Sequence, residues 1–168
     1  MSTPPLARIA VGVVVERRVA ISPWIEHVWR PVGVLAGAPD AEPWTSLPGA
    51  PGADTFYAGA AEVELYRSET TNYRDNLASG QPSLWVVLRP TGGDPPFTVV
   101  RVTADPAEGE AFTETATDLV EAVPMPEPVA EAVSAFVAEH HVERAFQKRK
   151  RDRADPEALS RRRGEEDR

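Results

Sequence analysis

The sequence predicts an α+β fold, a mostly antiparallel sheet or partly closed barrel of about six strands packed by a C-terminal helix. Three observations predict it. Short runs rich in Val, Ile and aromatic residues, several with alternating polarity, recur up to Val123. Seventeen prolines and eleven glycines in 168 residues divide the chain into short elements joined by turns. One stretch near the C-terminus carries a sustained helical stripe.

The elements follow in order. Ile9 to Arg18, IAVGVVVERR, is rich in β-branched residues and predicts a strand largely buried on both faces. A second extended stretch runs through SPWIEHVWRP to PVGVLAG and ends near Gly37. In it Trp24, Glu26, Val28 and Arg30 fall on one face and Ile25, His27 and Trp29 on the other. Pro31 has no donor for a central strand, so this strand is expected at an edge or with a bulge there, after which the phase changes. Residues 38–53, rich in Pro, Gly and Ala, have no period and predict a long surface loop pinned by Trp44. Alternation returns from Thr55 to Arg67, with Tyr57, Ala61, Val63 and Leu65 facing in and Glu62, Glu64 and Tyr66 facing out.

Tyr73 and Leu77, at helical spacing before a Ser-Gly pair, predict one or two helical turns within residues 68–82. SLWVVLR, TGGDPP and FTVVRVT read as strand, turn and hairpin partner. ADPAEGEAFTE suits a short helix with Pro106 at its first position, and DLVEAV a last strand. Val129, Val133, Phe136, Val137 and His140 then form the apolar stripe of a helix that docks on a sheet, with Pro128 near its start.

The length suits one domain. Residues 1–8 read as a flexible segment, 9–147 as a single α+β domain, and 148–168 as a basic, charged, disordered tail without apolar anchors. Charge divides along the same line. Residues 1–143 hold 8 Lys and Arg against 20 Asp and Glu, and residues 144–168 hold 10 against 6, giving −12 and +4 within a whole-chain charge of −8. An acidic body repels nucleic acid and anionic lipid, so only the tail, through Lys148, Arg149, Lys150 and Arg151, offers electrostatic capture. No aromatic residue interleaves these cations as a stacking platform.

Several chemistries find little support. With no cysteine there is no disulfide, thiolate metal site or cysteine nucleophile. No segment has the roughly 20 apolar residues of a membrane span, and the N-terminus lacks a cleavable signal, so the expected compartment is the cytoplasm. His140 and His141 are adjacent and point about 100° apart on a helix, unlike a metal-binding pair at an offset of four. No G-x-S-x-G elbow occurs, and the serines sit where caps and turns explain them. TGGDPP lies between two strands, where a hairpin turn fits better than a phosphate loop. Glu62 and Glu64 read as solubilising groups. The aromatic and guanidinium side chains of SPWIEHVWRP remain, either as a contact surface or as a corner of the core.

Three blocks, VGVVVERR with SPWIEHVWRPVGVLAGAP, ELYRSETTNYRDNLASGQPSLWVVLR, and EAVPMPEPVAEAVSAFVAEHHVERAFQKRKR, together resemble a family of small uncharacterised proteobacterial proteins. The genes of that family accompany those for molybdenum-dependent formate dehydrogenases. The resemblance runs from about Ile9 to Arg151 and implies a non-catalytic accessory role in maturation or cofactor loading of the dehydrogenase. The catalytic subunit or a maturation factor would be the partner, and the molybdopterin cofactor at most a transient ligand. Some members are labelled as molybdopterin-guanine dinucleotide biosynthesis proteins, but VLAGAPD departs from that enzyme's glycine-rich loop at Ala38. Trp24, Glu26, His27, Arg30, Tyr73 and Arg74 are the residues expected at a partner surface or, in the alternative of a cofactor-binding protein or an enzyme of cofactor biosynthesis, lining a pocket. In such a pocket arginine beside aromatic rings would suit a pterin and its phosphate. No catalytic or metal-ligating residue is assigned.

Overall fold

A computed structural model of the chain describes residues 3–115 and 117–141. The fold is α+β, with two antiparallel sheets and three helices. The first sheet has the order β2-β1-β4-β3, from β1 (Ala7–Ser22), β2 (Ile25–Ala36), β3 (Thr45–Leu47) and β4 (Ala53–Leu65). The second has the order β6-β5-β7, from β5 (Ser83–Pro90), β6 (Phe97–Thr103) and β7 (Leu119–Pro124). β4 approaches β6 and β2 approaches β7, so the sheets fold over one another without closing into a barrel.

The β-branched run of β1 explains why it is central. Val11, Val13 and Val15 are fully buried between the sheets, and Gly12 lies on the opposite face, beneath Tyr57 and Pro39. A Cβ on Gly12 would fall 2.9 Å from the Tyr57 ring, so the outer face is also closed at this point. β2 is an edge strand, and its register on β1 shifts where Pro31 stands opposite Val15. The shift changes the phase of β2: Trp29 points inward before it, and Val34 after it.

Two details differ from expectation. Residues 38–53 contain a seventh strand, β3, three residues long and paired with Thr55 to Tyr57. Trp44 leads into it at φ 70°, its amide donates to the Tyr57 carbonyl, and its ring anchors the loop as the sequence suggests. The second strand begins at Ile25 rather than within SPW, because β1 runs on to Ser22 and Pro23-Trp24 form a two-residue turn.

The helices close the remaining core. α1 (Thr70–Leu77) follows a 3-10 turn at Arg67–Glu69, α2 (Pro106–Thr113) is capped by the Asp105 carboxylate accepting from the Ala107 amide at 2.9 Å, and α3 (Glu127–His140) ends the described chain. α3 buries Val129, Val133 and Phe136, three members of the predicted stripe. Phe136 meets Tyr73 of α1 edge to face at 6.2 Å and stacks on His140 at 4.5 Å.

Candidate functional site

β1 and β2 run on as a hairpin beyond both neighbours. Pairing of β1 with β4 stops at Arg18 and Ala53, and Phe97, the first residue of β6, meets Trp29 at 6.0 Å. Past that point β1 has only β2 beside it, through Val19↔His27 and Ser22↔Ile25, with one extra residue bulging on β1. Trp29, Trp44, Phe56 and Phe97 form an aromatic cluster at this end of the core. Arg17 covers it, with the guanidinium carbon 5.4 Å from the Trp29 ring and 5.3 Å from Phe56, and Nη2 donating to Asp54 at 2.7 Å.

The inward-facing pattern of the two strands continues after the covering sheet ends. Val19, Ile25 and His27 lie on the same face as Trp29; His27 is half-buried, while Val19 and Ile25 are exposed. Val19 is 76 % exposed, Ile21 107 %, Trp24 90 %, Ile25 56 % and Val28 51 %. Five large apolar side chains exposed at one end of a domain, Val28 on the other face of the hairpin from Val19 and Ile25, are the kind of surface that contacts another molecule. Nearby charges are largely paired within the chain: Arg17 with Asp54, and Arg18 with Glu16. Glu26 and Arg30 are both exposed.

Tyr73 and Arg74 are not part of this end. Tyr73, only 1 % exposed, cannot present itself to a partner: its hydroxyl accepts from the Tyr66 amide at 2.9 Å, and burial pushes its phenol far above the ordinary range. Its helical spacing with Leu77 reflects packing. Arg74 belongs to the surface where α1 meets α3 and donates to His141 Nε2 at 3.1 Å, while Nδ1 of the same ring lies 3.1 Å from Thr70 Oγ1. The histidines thus have three different surroundings, the hairpin, the Phe136 ring and the α1–α3 junction, and no group of three metal-ligating side chains occurs among the described residues. Lys148, Arg149, Lys150 and Arg151 lie outside the described residues.

A second feature lies between β4 and β6, an open cleft of about 450 Å³ lined in part by Glu62, Glu64 and Arg101. Arg101 donates to Glu64 Oε2 at 2.8 Å, and the Tyr66 hydroxyl donates to the same oxygen at 2.6 Å. Arg101 Nε is 3.3 Å from Glu108 Oε1, at an angle that makes no hydrogen bond. The two carboxylates respond in opposite ways. The Tyr66 hydrogen bond, and then Arg101, hold Glu64 below the usual range against the effect of burial, whereas burial pushes Glu108 up despite the attraction of Arg101.

A family model described as a protein of unknown function, DUF3305, matches residues 10–150. The chain belongs to the DUF3305 family. No curated protein and no solved structure matches this DUF3305 chain. None of its helices among the described residues is long and apolar enough to cross a membrane.

Sequence reasoning placed Trp24, Glu26, His27 and Arg30 of this DUF3305 protein on one strand, and missed Val19 and Ile21 because the turn between the strands carries no glycine or asparagine signal. It put Ile25 on the same face as Trp29 and left open whether that face is core, and Ile25 lies past the end of the second sheet and is exposed. The Glu64–Arg101–Glu108 group was missed because its members come from three elements. Its titration is directly testable. A carboxyl whose folded pKa is raised contributes stability that is complete below its unfolded value and is lost as pH rises through the folded value. Glu108→Gln is therefore expected to gain on the parent protein as pH rises above about 4, by less than about 1 kcal/mol because the side chain is partly solvated. Thermal melts of both proteins across that range measure the difference; one that does not grow with pH would contradict the assignment.

Proposed function

We propose that this DUF3305 chain is a non-catalytic accessory protein that holds a client protein against the apolar end of the β1–β2 hairpin. The observation that carries the reading is the continuation of the core face past Trp29 beyond the covering sheet, with Ile21 exposed near the end of β1 and Trp24 in the turn. Tryptophan is over-represented at the energetic centres of interfaces, because a rigid ring gives much contact area for little lost freedom. Since Arg17 and Arg18 are already paired, the surface offers apolar contact with Glu26, His27 and Arg30 at its margin. An acidic body disfavours nucleic acid and anionic lipid as clients.

The resemblance in sequence supports one client class, the catalytic subunit of a molybdenum-dependent formate dehydrogenase or one of its maturation factors, in which case molybdopterin is the client's cofactor. The test is affinity capture from native cells with the parent protein and with Trp24→Ser/Ile21→Ser. Both positions are solvated, so the variant keeps its fold. The parent is expected to enrich a dehydrogenase subunit, and the variant to bind it at least about thirtyfold more weakly, the effect of losing an interface hot spot. Capture that never enriches such a subunit, or that is equal for both proteins, would overturn the proposal.

A further inference from the structure

We infer that the free edge of β2 pairs antiparallel with β2 of a second copy of this chain, about a two-fold axis at Val28. β2 is the outermost strand of its sheet, and its segment from Ile25 to Val28 runs past the covering sheet, so the backbone edge is open to another strand. Within that segment Glu26, Val28 and Arg30 occupy alternate positions and share one face; their neighbours on β1 include Arg18 opposite Val28 and Glu16 opposite Arg30. Glu26 and Arg30 are exposed and make no ion pair within the described residues.

The spacing is self-complementary. Centring the pairing on Val28 places each copy's Glu26 opposite the other's Arg30, twice, with the two Val28 side chains between them. Opposite charges directly across a strand pair are stabilising and like charges destabilising. Pro31, which is buried, and its register shift end the regular edge, which limits the contact to Glu26 through Arg30 and favours a closed pair over an open fibre. Val19 and Ile21 belong to β1 and stay outside the pairing. The inference does not depend on the client proposed above, and its readout is separate.

Sedimentation equilibrium of the full chain tests it. The parent is expected at twice the chain mass. Glu26→Arg alone, or Arg30→Glu alone, should weaken association at least about tenfold by facing like charges across the axis, and Glu26→Arg/Arg30→Glu should restore it. All positions are exposed, and circular dichroism confirms that each variant is folded. A parent that stays monomeric at high micromolar concentration, whether the edge then serves another protein or none, would overturn the inference. So would single reversals without effect, or a folded double variant that remains dissociated.

Discussion

Asn76→Ala is expected to destabilise the protein by about 3 kcal/mol, lowering the melting temperature by roughly 10 °C. Asn76 is buried on the last turn of α1, and its side-chain amide binds three backbone groups. Nδ2 donates to the Ser83 carbonyl at 2.8 Å and to the Ala104 carbonyl at 2.9 Å, and Oδ1 accepts from the Ser83 amide at 3.0 Å. One side chain thereby ties α1 to the start of β5 and to the chain just after β6. Alanine removes all three partners at once and leaves peptide groups short of hydrogen bonds in a place poorly reached by water. Asn76→Asp separates this account from a simple packing effect. The carboxylate keeps the acceptor for Ser83 but turns an unprotonated oxygen toward two carbonyls, so its damage should be greatest at neutral pH and should ease in acid, where the protonated group can donate. Urea unfolding of both variants at two pH values measures this. A loss below about 1 kcal/mol for Asn76→Ala would show that relaxation or water replaces the clamp.

The clamp marks the boundary of what sequence reasoning can see. Alternation in residues 60–65 and the stripe Val129, Val133 and Phe136 were legible because each reports a single element's exposed and buried faces, set by the geometry of that element alone; Tyr57, assigned to the same inward face as Val63 and Leu65, is turned to the opposite face over Gly12 by the register shift at Gly59. Asn76 carried no such signal, since its partners lie 7 and 28 residues away. The same holds for Glu64, assigned to solvent by its phase on β4 but bound to Arg101, 37 residues later. β3 has only three residues, too few for any period, and exists because the Trp44 ring is held by Trp29 and Phe56. At the hairpin the residue types were informative and the side of the core was not. Periodicity correctly put Ile25, His27 and Trp29 on one face, but where the second sheet stops is set by the lengths of β5 and β6. That length mismatch turns a core pattern into an exposed one and makes Ile25 a surface residue beside Trp24.

Gly109→Ala is expected to cost about 2–4 kcal/mol, although alanine favours a helix interior by up to about 1 kcal/mol over glycine. Gly109 lies mid-way along α2 and is buried against Trp85 of β5. An added Cβ would overlap the Trp85 side chain, touching Cγ, lying 2.5 Å from Cδ1 and 2.6 Å from Trp85 Cβ. Rotating the indole relieves the first two overlaps. The third is with an atom fixed to the backbone, so the helix itself has to move away from β5. Such a shift would carry Asp105 away from Asn72, which donates to it at 3.0 Å, and Glu108 away from Arg101, disturbing the β4–β6 cleft from a distance. The overlaps also predict the pattern of rescue. Trp85→Ala combined with Gly109→Ala should recover little, because the Cβ remains, whereas Trp85→Gly with Gly109→Ala should show a favourable coupling that the first pair lacks. Denaturant titration of the three single and two double variants measures both couplings. If Gly109→Ala proved as stable as the parent, α2 would have room to withdraw, and the close approach to β5 would not be what requires glycine there.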